Sequence, residues 1–185
     1  LNLRQVFHLL ILFAAILIAP LSPLRADAND ISAASRSVVR IAIFGEVDGR
    51  RQLVGHGSGL VIAPNRIITN AHVVEEAVYD SSLSFLIIPS RGRSIYRATL
   101  DDWSPQNDLA TLKLENGASL PAGSLYTGPA SDGSDVFAIG YPASVDIAMD
   151  YSEDDVLRPQ APVKTRGTIS SGRSSKSFDS VLHTA

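Results

Sequence analysis

From residue 38 onward the chain repeats one pattern: short runs of alternating apolar and polar positions, each closed by turn residues. Val38–Val47 (VVRIAIFGEV) sets β-branched residues against polar ones and ends at Asp48-Gly49, a tight-turn pair. Residues 53–63 are Gly-rich and apolar, and Pro64-Asn65 turns them into residues 67–70. Residues 83–88 (LSFLII) stop at Pro89, and residues 94–100 alternate again. Residues 108–114 place Ala110, Leu112 and Leu114 on one face and Thr111 and Lys113 on the other. The pattern predicts six strands between about residues 38 and 115, with one helical turn over 71–78. Six short strands without a long amphipathic helix predict an all-β barrel or sandwich.

Residues 116–134 then shift to Gly, Pro, Ser and Ala, a linker composition, and the boundary between units is set at a linker over 119–134. Three further strand-like runs follow at 135–141, 163–170 and 178–184, with an acidic loop (Asp150, Glu153, Asp154, Asp155) between the first two. Three strands cannot bury both their faces alone, so 29–118 reads as a complete β unit and 135–185 as an incomplete second one.

The amino end breaks the pattern. Arg4 precedes an unbroken apolar run at residues 9–21 (LLILFAAILIAPL), stopped by Pro20 and Pro23. Thirteen helical residues rise about 20 Å, short of the roughly 30 Å hydrocarbon core of a bilayer. Small-residue cleavage sites follow at Ala26 and Ala28, so residues 1–28 read as a signal peptide, with no stable membrane insertion after its removal.

Composition narrows the class. Sixteen Lys and Arg against nineteen Asp and Glu give a net charge of −3, which argues against a nucleic-acid partner. The absence of Cys removes disulfide scaffolds, thiol catalysis and Cys-based zinc sites, and with the signal peptide suggests a bacterial periplasmic or secreted protein. No cofactor is expected: Gly55-x-Gly57-x-x-Leu60 lacks the third Gly of a dinucleotide loop, and the acidic loop lacks calcium-loop spacing. His56 and His183 show no metal-ligand spacing, and Arg91, Arg93 and Arg97 read as a solvated face.

Two residues remain as chemistry. His72 stands in IITNAHVV, where a strand ends and a helical turn begins, a corner that can fix a ring while it faces a cleft. Asp108 opens the run DLATLKL, where partial desolvation calls for a partner such as a His Nδ1–H. Each also fits a plainer role, His72 as a polar strand end and Asp108 as a turn-closing residue.

Four stretches in order, Gly57-Ser58-Gly59-Leu60-Val61-Ile62, IITNAHVV, NDLATLKL and Val136-Phe137-Ala138-Ile139-Gly140-Tyr141-Pro142, resemble trypsin-like serine proteases, nearest to the bacterial HtrA-like branch. Gly167-Thr168-Ile169-Ser170 and Val181-Leu182-His183-Thr184-Ala185 resemble two later strands of that family. The resemblance implies two six-stranded β-barrels with the active site between them, His72 as general base and Asp108 as its orienting acid. It implies an endopeptidase acting on protein or peptide substrates, which the signal peptide would make an exported one. The family's Gly-x-Ser-Gly-Gly stretch is absent from these 185 residues. The nucleophilic serine is therefore expected shortly after Ala185, in a longer parent, and the fragment itself is expected to be inactive. Ser170-Ser171-Gly172, the nearest lookalike, reads as a strand end running into a loop. The alternative is a catalytically inactive relative that keeps the barrel as a binding module.

Overall fold

The computed structural model describes residues 28–128, 132–142, 152–174 and 179–184, with side chains for 30–128, 132–142 and 152–170. The apolar run at 9–21, Ala26 and Asp150 lie outside the described residues.

Six strands close into an antiparallel barrel: β1 (Val38–Val47), β2 (Arg50–Ala63), β3 (Arg66–Thr69), β4 (Ser84–Pro89), β5 (Tyr96–Ser104) and β6 (Leu109–Leu114). Around the barrel the order is β1-β2-β3-β6-β5-β4, with β4 returning to β1. Closure leaves no free edge. Inside, Val39, Ile41, Val61, Ile67, Ile87 and Leu112 are fully buried, and Ala98 adds the inward face of β5. The β2 glycines let this interior close: a Cβ at Gly59 would stand 2.6 Å from the Ile67 Cγ2 and 2.9 Å from the Ile41 Cδ1.

Three features depart from the pattern. An α-helix, α1 (Ala28–Ser37), precedes β1 where the sequence suggested no element. Two of its serines bond back onto the helix, Ser35 donating to the Ile31 carbonyl and Ser37 to the Ala34 carbonyl. The first eight positions of β1 are buried on both faces, including Arg40, which alternation assigns to solvent. The reason is tertiary: Tyr141 and Val156 cover the outer face, with the Arg40 guanidinium 4.8 Å from the Tyr141 ring centroid and donating to the Val156 carbonyl. β5 runs from Tyr96 to Ser104, later than the expected 94–100, because its ladder to β6 continues past a bulge between Leu100 and Asp102.

Leaving β6, the chain stays on the barrel. The Leu120 and Gly123 amides donate to the Pro64 and Val61 carbonyls, and Leu120 enters the core. A second sheet follows, β7 (Asp135–Gly140), β8 (Val163–Ser174) and β9 (Asp179–Thr184), in that order and antiparallel. The result is a mostly β molecule with a closed six-stranded barrel and a three-stranded part of a second one. The acidic segment forms α3 (Glu153–Val156), whose capping box joins Ser152 and Asp155. Ser170-Ser171-Gly172 lies within β8, not at a strand end: β8 continues to Ser174 past a bulge between Ile169 and Ser171.

Candidate active site

β3 ends at Thr69, whose hydroxyl donates to the Ser58 carbonyl and ties the corner to β2. Asn70 is the N-cap of α2 (Ala71–Tyr79), and His72 stands in its first turn. Ala71 and Val74 seat the helix in the barrel, while Val73 lies over Gly57. At the far end, Tyr79 meets Trp103 edge to face at 6.2 Å.

Asp108 arrives from the opposite side. The 3₁₀ turn Pro105–Asn107 ends on Asp108 in the left-handed region, φ 49° and ψ 45°, and β6 begins one residue later. Asp108 therefore precedes the strand that the sequence suggested it opens, and its side chain is half-exposed. Both carboxylate oxygens lie 2.9 Å from the His72 Nδ1, and Oδ1 accepts the His72 backbone N–H at 3.0 Å. The Asn70 side-chain amide donates to Oδ2 at 3.0 Å and to the Asp108 carbonyl at 3.2 Å.

Electrostatics follow from these contacts. The backbone N–H of His72 is the main cause holding the Asp108 carboxyl below its ordinary range; partial burial opposes it, and the His72 ring and Asn70 amide add to it. An ionised carboxylate only accepts, so the proton between it and the ring belongs to Nδ1. In the neutral ring that tautomer leaves the lone pair on Nε2. The His72 side chain is 67% exposed, and Nε2 meets no hydrogen-bonding group among the described residues. The arrangement is a held imidazole with its basic nitrogen turned outward.

The structure thus brings His72 and Asp108 together. Ser58 is otherwise engaged: its Oγ accepts the Tyr141 backbone N–H at 2.8 Å, a bond that joins barrel to second sheet. His56 lies on β2 opposite Ala42, and His183 on β9 opposite Ile169. Among the described residues no three His, Asp or Glu side chains gather as metal ligands would.

The trypsin-like peptidase domain matches residues 57–185, which is more than half of the chain. The chain belongs to the trypsin-like peptidase family. It is 34% identical over 114 residues to serine protease Rv3671c of Mycobacterium tuberculosis, covering 60% of this chain and 25% of that protein. It is 33% identical over 133 residues to human serine protease HTRA4, covering 66% of this chain and 26% of the relative. Rat serine protease HTRA3 is 32% identical over 112 residues, covering 57% and 24%. The chain spans about a quarter of the length of these relatives, and it is an HtrA-related member of the family.

One participant was not singled out from the sequence. Asn70 was visible only as part of the Asn70-Ala71-His72 triplet, and N-cap chemistry would assign its side chain to its own helix. The structure gives α2 no side-chain cap from Asn70.

Proposed function

We propose that the protein hydrolyses peptide bonds in protein substrates by a Ser-His-Asp mechanism, with His72 as general base and Asp108 as the acid that orients it. The observation that carries this reading is the Nδ1–carboxylate pair at 2.9 Å with Nε2 left open. This reading takes the serine from a longer parent protein, because no Gly-x-Ser-Gly-Gly stretch occurs in these 185 residues. Nε2 takes the proton from that hydroxyl as its oxygen bonds to the substrate carbonyl carbon, whose π pair moves onto oxygen. As the tetrahedral intermediate collapses, the C–N bond breaks and Nε2 returns the proton to the leaving amine. Water repeats the sequence on the acyl-enzyme. Asp108 stabilises the transient imidazolium and remains a carboxylate.

The apolar run at residues 9–21 supports export to a bacterial periplasm or beyond. The test uses the natural full-length protein. A fluorophosphonate probe should label one serine, and His72→Ala should abolish the labelling. Asp108→Asn should lower kcat by about 10⁴-fold, a magnitude taken from the serine-protease triad itself. Absence of labelling in a folded wild-type protein would favour the binding-module reading, and near-normal turnover of Asp108→Asn would remove Asp108 from the mechanism.

A further inference from the structure

The structure assigns Asn70 as a positioning residue: its amide clamps Asp108 across both its carbonyl and its carboxylate, and so sets the geometry of the His72–Asp108 pair. The inference rests on the proposed roles of those two residues, and three observations carry it.

The first is a rule not followed. Asn at a helix N-cap ordinarily turns its side-chain oxygen onto the N–H groups of the first turn. Asn70 occupies that position, with φ −78° and ψ 146°, yet makes no side-chain cap. Its amide points across to Asp108, and Asp108 takes over the capping, accepting the His72 N–H at 3.0 Å. The exchange gives up a local bond for one spanning 38 positions of sequence.

The second is donor arithmetic. An Asn amide nitrogen has two hydrogens, and the two acceptors within reach are both oxygens of one residue, at 3.0 and 3.2 Å. A flipped amide would set oxygen against two oxygens, so the orientation is chemically determined. Two bonds to one residue fix its carboxylate relative to its own backbone.

The third is what is being held. Asp108 has φ 49°, a conformation that L-residues adopt at some cost. Neither the 3₁₀ turn before it nor β6 after it fixes its side chain, which is 48% exposed. An exposed aspartate rotates readily between rotamers. Without Asn70, the carboxylate keeps only His72 as partner among the described residues, through its ring and its backbone N–H, and no side chain ties Oδ2 to the Asp108 backbone.

The test is substitution in the natural full-length protein, with turnover of a peptide substrate and thermal unfolding as paired readouts. Asn70→Ser is decisive because serine caps a helix as well as asparagine does but cannot reach Asp108 with two donors. Asn70→Ser and Asn70→Ala should both lower kcat by about 10- to 100-fold, as loss of a supporting contact does at other ligand-orienting sites, with KM within about twofold. Asn70→Asp keeps size and capping ability but sets a carboxylate against Asp108, and should lose more than Asn70→Ser at neutral pH. A purely structural N-cap would show the opposite order: Ser and Asp near wild type, Ala alone impaired, with Tm and activity falling together. That order, or an Asn70→Ser kcat within twofold of wild type, overturns the inference. His72→Ala run alongside separates the two claims, since a fully active His72→Ala would overturn the proposed mechanism, whereas an inactive one beside an active Asn70→Ser would overturn only the clamp.

Discussion

Gly57→Ala tests how closely α2 is seated. A Cβ at position 57 would stand 2.7 Å from the Val73 Cγ1 and 2.9 Å from its Cγ2, where ordinary contact begins at 3.4 Å. The added methyl therefore demands at least about 0.7 Å of movement. Val73 is β-branched and stiff at χ1, so it has little rotamer freedom with which to yield. Val73 lies between the buried Ala71 and Val74, so relieving the clash displaces the first turn of α2, which carries His72. Overpacking of this kind costs about 1–3 kcal/mol. Gly57 has no positive φ, and replacing Gly by Ala inside a strand returns about 0.5–1 kcal/mol, leaving a net loss of about 0–2.5 kcal/mol. The effect on chemistry is larger, since misplacing a reacting group by about 1 Å can lower rate 100-fold. In the full-length protein, Gly57→Ala should unfold within a few degrees of wild type and lose about 10- to 100-fold in kcat. Val73→Ala removes both γ-carbons, so the double variant should recover most of the turnover that Gly57→Ala loses. Full activity of Gly57→Ala, or a double variant no better than the single one, would refute the seating of α2 on Gly57.

Other consequences are equally direct. Burial pushes the Tyr141 phenol up to about 12, with the nearby Arg40 charge opposing. The fold thus favours the protonated phenol, whose contribution is complete below the unfolded value of about 10 and is lost as pH rises towards 12. An ultraviolet titration should show a tyrosinate transition near pH 12 that Tyr141→Phe removes; its absence in wild type would refute the burial argument. Ser58→Ala takes away the acceptor of the Tyr141 N–H, leaving a buried donor unpaired at a cost of about 1–3 kcal/mol. Denaturant unfolding should record that loss, while fluorophosphonate labelling persists; loss of labelling in folded Ser58→Ala would revive Ser58 as nucleophile.

Much of the first barrel was legible in the chain because a strand's inside and outside are written at a period of two. Ala110, Leu112 and Leu114 alternate into the core as their spacing predicts. The turn at Pro64-Asn65 and the helix at 71–78 were equally local, and local chemistry is what residue order records. His72 and Asp108 stood out because each sits at an element boundary within a stretch resembling the family.

What residue order cannot record is what lies opposite. Alternation placed Arg40 in solvent, but Tyr141 and Val156, more than a hundred residues on, bury it. Composition marked 119–134 as linker, whereas Leu120 fills the barrel core. Asn70 has the ordinary signature of a helix cap, and only the approach of Asp108 from 38 residues away gives its amide a better pair of acceptors. The sequence by itself determined the strands, the helix corner and the two residue types that a base and its partner require. The tertiary structure decided which faces are covered, which oxygen each nitrogen meets and how tightly α2 presses on Gly57. Those depend on distances between segments, set by closure of the barrel rather than by any one run of residues.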